Sequence, residues 1–268
     1  MEISVEVRGL RYSFGETVAV DGADLTVHSG EIFGLLGPNG AGKTTMIRAI
    51  TALLPVPYGV ISVFGHDVAR SRMAVRRMIG YVPQQLSAEG ALTGTENVAL
   101  FARLFDVPRS VRRAQVTDAL SMMGLADAKG RLAKTYSGGM IRRLELAQAL
   151  VSAPRLLILD EPTIGLDPVA RAGVWERIDA IRARTGMTVL VTTHYLEEAS
   201  GSCDRVALMH RGRIRAVGTP SSLVADLNQP DATLDDVFRA YTGDSVAAES
   251  EGEMRNVRAS RRTARRLG

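Results

Sequence analysis

Residues 37–45 read GPNGAGKTT and follow the short apolar run 31–36, EIFGLL. A strand that breaks into a glycine-rich turn and continues as a helix is the setting in which the pattern G-x-x-x-x-G-K-[ST] surrounds phosphate groups. Gly37, Gly40 and Gly42 let the backbone turn so that N–H groups point inward, and the following helix adds its positive end. Pro38, Asn39 and Ala41 complete the loop, Lys43 has the reach for β- and γ-phosphates, Thr44 can ligate Mg²⁺, and Thr45 stands beside it. The candidate ligand is therefore a phosphate chain with β- and γ-groups, bound with Mg²⁺.

Working outward, the helix is predicted over 42–54, stopping before Pro55 and Pro57. Strands are predicted at 3–7, 60–64 and 79–82. Between about 93 and 151 the spacing turns helical, with Val98, Phe101, Ala102 and Phe105 in one segment and Val116, Ala119, Leu120 and Met123 in the next. A buried strand at 155–159, a helix at 168–184, a strand at 188–192 and a strand pair at 206–209 and 213–217 follow. Strands alternating with helices predict an α/β fold with a mostly parallel sheet, into which the helical block is inserted.

The stretch 156–161, LLILDE, ends in two carboxylates. At the carboxyl edge of such a sheet Asp160 can hold the hydration shell of Mg²⁺, while Glu161 can polarise an attacking water. An acidic pair after a strand is by itself more often a surface feature; the phosphate loop upstream reverses that judgement.

The 268 residues are 46% hydrophobic and 23% charged, enough for a large core. No apolar run approaches the ~20 residues of a membrane span, and MEISVEV has no leader character, which predicts a cytoplasmic chain. The single cysteine, Cys203, excludes an internal disulfide and a multi-cysteine metal cage. Of the net charge of +4, the stretch after Asp244 carries +3, from six arginines against three glutamates. The nearly neutral remainder argues against a nucleic-acid groove. Residues 245–268 read as a disordered, Arg-rich tail, merely solvated or attracted to anionic lipid.

Four further motifs stand in order: Gln84 in YVPQQ, residues 136–140 YSGGM, residues 164–167 IGLD, and His194 in VTTH. Taken singly, each has an ordinary structural explanation. Together the chain resembles the ATP-binding subunits of ABC transporters over about residues 4–243. The resemblance implies a P-loop NTPase (RecA-like) core with an N-terminal antiparallel β subdomain and an inserted α-helical subdomain, in one nucleotide-binding domain spanning 1–244. It implies that Ser137, Gly138 and Gly139 form a second anion site that reaches ATP held by another copy. Two nucleotide-binding domains then enclose two ATP molecules, and a homodimer is expected. It also implies that His194 bonds the γ-phosphate, that Gln84 senses Mg²⁺ and the water, and that Asp167 links the two sites. Phe14, or alternatively Tyr12, would stack on adenine. Met140 stands where the family has glutamine, and Gln148 where it has arginine.

YSGGM, ALTGTENV and ATLDDVFRAYTG resemble the daunorubicin-resistance type within the ABC-2 exporters; related subunits for lipid or polysaccharide share much of the pattern. A separate transmembrane subunit is then the partner, docked on the surface from Gln84 to about Phe105, and the chain is peripheral to the cytoplasmic face of the cell membrane. The competing class is a soluble ABC ATPase acting on ribosomes or DNA. The 94 positions from Lys43 to Ser137 leave no room for the long insertions of repair and cohesion ATPases.

Overall fold

In the computed structural model, which describes residues 2–85 and 87–243, the chain opens with two long strands, β1 (Ile3–Phe14) and β2 (Thr17–His28). They pair antiparallel, and β1 also pairs with β4 (Ile61–Val63), which is joined to β5 (His66–Asp67). The strand expected at 3–7 is only the beginning of β1, and β2 had no clear signal. The reason is a series of register shifts in the pair, with Gly9 and Gly22 at positive φ, which break the two-residue alternation while the ladder continues.

β3 (Ile32–Leu36) enters the phosphate loop and α1 (Lys43–Ile50) leaves it. The helix is shorter than the 42–54 expected. Ala52 adopts φ +58, and the N–H groups of Leu53 and Leu54 turn back to the Arg48 carbonyl. A left-handed residue thus closes the helix before either proline can. α2 (Arg72–Met78), which the periodicity did not announce, leads into β6 (Ile79–Val82).

The segment 93–151 holds α3 (Gly94–Leu104), α4 (Arg109–Met122) and α5 (Gly138–Leu150). Thr93 and Glu96 form a reciprocal cap at the start of α3, satisfying two backbone donors that the helix leaves open. Gln148, buried in α5, donates to Asn97 Oδ1 at 3.1 Å, and the Asn97 amide donates to three carbonyls around the entry to α3. The neutral amide where arginine was expected therefore joins α5 to α3.

β7 (Leu156–Asp160), α6 (Pro168–Thr185), β8 (Thr188–Thr193), α7 (Leu196–Ser202), β9 (Arg205–His210), β10 (Arg213–Gly218), α8 (Pro220–Ala225) and α9 (Leu234–Thr242) complete the described chain. The second sheet runs β10-β9-β3-β8-β7-β6, parallel except for β10 against β9. β3 divides the core: Ile32 and Leu36 face one apolar cluster, with α5, α6 and α9, and Phe33 and Leu35 face the other, with α1 and the antiparallel sheet. Both faces are covered, which is why its strands read as continuous apolar runs. The expected tail, 245–268, lies outside the described residues.

Candidate active site

Strand register assembles the site. Leu36 lies opposite Thr193, Asp160 opposite Thr192, and Val82 opposite Leu159. The segments after β3, β8, β7 and β6 therefore emerge side by side at the carboxyl edge, carrying the phosphate loop, His194, Glu161 and Gln84.

Two loop glycines are required by space as well as by φ. A Cβ on Gly37 would collide with the Met209 carbonyl, and one on Gly42, at φ +106, with the Ala19 carbonyl. The Ala41 carbonyl accepts from Gly212 N–H at 2.9 Å, and the Gly212 carbonyl accepts from Asp21 N–H at 2.8 Å. The β9–β10 turn thereby ties the phosphate loop to β2. Lys43, buried at 5% exposure, donates to the Gly37 and Pro38 carbonyls at 2.7 and 2.9 Å, and its Nζ lies 3.4 Å from Glu161 Oε1.

The two acids are held differently. Asp160 Oδ1 accepts from Thr192 Oγ1 at 2.6 Å and from Thr44 Oγ1 at 3.3 Å. Burial pushes the Asp160 carboxyl above its ordinary value, and those two hydroxyls only partly offset this. Burial also pushes Glu161 up, but His194 and Lys43 beside it outweigh that and hold it below its ordinary value. His194 Nδ1 is 3.5 Å from Glu161 Oε1, and Gln84 Nε2 donates to Glu161 Oε2 at 3.0 Å. Glu161 has φ +50, a left-handed conformation that costs an L-residue about 1–2 kcal/mol. Its N–H bonds to the Thr192 carbonyl and hydroxyl, and its carbonyl accepts from Arg142 at 3.0 Å, so both ends of the strained residue are clamped.

The residue types suit Mg²⁺. Thr44 and Asp160 offer adjacent hard oxygens, and among the described residues no cluster of His, Cys, Asp and Glu is placed to cage a metal without help. That is the pattern for an ion completed by substrate phosphates.

Ser137, Gly138, Gly139 and Asp167 form a separate group. Ser137 caps α5 by accepting from Met140 N–H at 3.3 Å, and Asp167 caps α6 by accepting from Ala170 N–H at 2.9 Å. Gly139 lies against Ala170, where an added Cβ would approach its side chain to 3.0 Å. Ser137 and Gly138 are exposed, while Met140 packs on the core, so the residue replacing glutamine anchors the helix below an open loop. On β1, the Tyr12 and Phe14 rings are 5.1 Å apart; Phe14 is 50% exposed, and Tyr12 rests on the core.

Sequence reasoning missed Thr192, Arg142 and Glu145. For the last two a signal exists: 138–150, GGMIRRLELAQAL, carries apolar residues on every face, so charges three apart within it have to be buried and paired.

Comparison with known proteins agrees with this architecture. Residues 20–164 match the ABC transporter family model. Over 224 residues the chain is 46% identical to the daunorubicin/doxorubicin resistance ATP-binding protein DrrA of Streptomyces peucetius, covering 84% of this chain and 68% of that one. It is 42% identical over 226 residues to Nod factor export ATP-binding protein I of Rhizobium sp. (strain N33), covering 84% and 74%. A dimeric ATP-binding cassette solved in a post-hydrolysis state with ADP and Pi superposes with a TM-score of 0.71 at 26% identity, covering 80% of this chain and 98% of that one. With the phosphate loop, the paired acids and the strand order in place, this chain belongs to the ABC transporter family as an ATP-binding subunit.

Proposed function

We propose that this ATPase subunit uses Glu161 to activate water against ATP held by residues 37–45, and that the energy drives export through a separate membrane subunit. The observation that carries the reading is the convergence of Lys43, Gln84 and His194 on one buried carboxylate, Glu161. Held ionised, Glu161 accepts the proton of the attacking water, and Gln84 orients the carboxylate. Lys43 and His194 bond the γ-phosphate. Thr44 and Asp160 would hold Mg²⁺, with Gln84 beside them, and the ion would supply charge neutralisation for the phosphate chain. Phe14 stacks on the adenine, with Tyr12 behind it.

ABC ATP-binding subunits work as dimers beside a membrane permease. For this chain we place two copies face to face, with Ser137, Gly138 and Gly139 of one meeting the γ-phosphate bound by the other and Asp167 at the junction. No helix among the described residues is long and apolar enough to cross a membrane, so a permease supplies the passage and holds this chain at the cytoplasmic face. The substrate proposed is a drug-like, lipid or polysaccharide molecule, a range in line with relatives named for drug resistance and for Nod factor export.

The test is Glu161→Gln, purified with ATP from detergent-solubilised membranes. The expected result is an ATP-loaded dimer that turns over at least about 100-fold more slowly and carries a stoichiometric polytopic membrane protein. Full turnover removes Glu161 from its role, and recovery with ribosomes or DNA removes the transport reading.

A further inference from the structure

We infer that Arg142 and Glu145 are positioning residues for hydrolysis, which register α5 against both Gln84 and Glu161. The inference rests on the role proposed above for Glu161. Arg142 is 2% exposed and donates to three carbonyls on two separate segments: Pro162 at 2.7 Å, Glu161 at 3.0 Å and Pro83 at 2.9 Å. Its charge is balanced by Glu145, one turn on, at 2.9 Å. The other Glu145 oxygen accepts from Ser87 N–H and Oγ.

These partners bracket the site. Pro83 immediately precedes Gln84, Ser87 follows three residues later, and Glu161 and Pro162 are the turn that bears the carboxylate. One guanidinium therefore fixes the peptide orientation behind Gln84 and the left-handed peptide of Glu161, whose side chains meet at 3.0 Å. Only a planar fork with five donors can serve these acceptors together, and a lysine ammonium cannot reproduce the geometry. A buried charge pair is poor evidence of stabilisation, since apolar residues of similar volume commonly replace one without loss. Its multidentate bonding to the backbone of two catalytic segments points to alignment.

The arrangement also has a direction. α5 is capped by Ser137, in the loop assigned to the partner's ATP, and Arg142 and Glu145 are the first buried charges along it. Displacement of that loop is carried by the pair to Gln84 and Glu161 of the same chain, so engagement of one nucleotide aligns hydrolysis of the other.

The experiment measures ATP affinity, kcat and thermal unfolding in the full-length protein for Arg142→Lys, Glu145→Gln and the double variant Arg142→Met/Glu145→Leu, which strands neither charge. The expected result for Arg142→Lys and the double variant is unchanged ATP affinity with kcat reduced about 100-fold, the loss typical of a misplacement near 1 Å. Glu145→Gln keeps an acceptor for Ser87 and loses less. A double variant that unfolds near the parent's temperature and keeps the parent's kcat overturns the inference. So does a loss of kcat matched by an equal loss of affinity. Glu161→Gln assayed alongside separates the two ideas: if it retains turnover, the assignment of Glu161 fails, whatever the Arg142 variants do.

Discussion

Gln84 and Glu161, 77 positions apart in sequence, share a 3.0 Å hydrogen bond from Nε2 to Oε2. Because His194 and Lys43 hold Glu161 below its ordinary value, the carboxylate is ionised throughout the neutral range. Its stabilising pairing is complete above the unfolded glutamate value and is lost as pH falls through the lower folded value. Protonation of Glu161 should therefore not limit ATPase activity anywhere in the neutral range. Gln84→Glu places a second carboxylate against the first, and one proton of the pair is then retained to higher pH. The acid limb of the pH–rate profile should move upward in Gln84→Glu and stay in place in Gln84→Ala; superimposable profiles for the Glu variant and the parent would contradict the proposed contact.

Asp160 makes the opposite prediction for stability. Its folded pKa is raised, so ionising it at neutral pH costs the native state more than the unfolded chain. Asp160→Asn should raise the unfolding temperature at pH 7 in the absence of nucleotide. The gain should fade as pH falls from the raised folded value to the unfolded aspartate value, because below the latter both states are protonated. Mg²⁺-dependent ATP hydrolysis should be lost in the same variant. Calorimetry at two pH values, beside an ATPase assay, checks both halves; an equal gain at acid pH would refute the titration argument.

Glycines 42 and 138 should respond in opposite directions. Gly42→Ala sets a Cβ against the Ala19 carbonyl at φ +106 and should cost about 1–3 kcal/mol along with ATP binding. Gly138 is in a helix, and its nearest neighbour for an added Cβ is Leu166 at 3.9 Å. Gly138→Ala should gain up to about 1 kcal/mol while slowing turnover by crowding the exposed loop. Chemical denaturation and ATPase rates measured together decide the point. Destabilisation by Gly138→Ala would mean that its backbone freedom is structural.

Phe14 is half exposed, so its removal should leave the unfolding temperature nearly unchanged. Loss of stacking on a base is worth ~1–3 kcal/mol, so Phe14→Ala should weaken ATP binding by roughly 5- to 150-fold with kcat retained. Tyr12→Ala should cost stability instead, because Tyr12 packs on the core. If Tyr12→Ala weakens binding more than Phe14→Ala does, the stacking ring is Tyr12.

The parts legible in the sequence were those whose chemistry demands contiguous residues. The phosphate loop, LLILDE and the short motifs at Gln84, Ser137 and His194 each sit at a strand end or helix start that the periodicity also marked. The long β1–β2 ladder escaped because its bulges scramble alternation, and the early end of α1 because Ala52, not a proline, closes it. Arg142, Glu145 and Thr192 escaped for another reason. Apart from the Arg142–Glu145 pair itself, their partners lie 19 to 59 residues away, and only the register of β7 beside β8 and the seating of α5 bring them together. The consequence of Gln148 was equally invisible until Asn97 stood opposite it.

The two hydrogen bonds of Gly212, its N–H donating to the Ala41 carbonyl and its carbonyl accepting from Asp21 N–H, join the phosphate loop to the strand paired with β1. They act as a caliper. Together with the apolar cluster that α1 shares with the antiparallel sheet, these backbone bonds hold the strand beside Tyr12 and Phe14 at a fixed place relative to the loop that carries Lys43. If Phe14 or Tyr12 holds the base as proposed, a ligand with the right base and too few phosphates would fall short of Lys43.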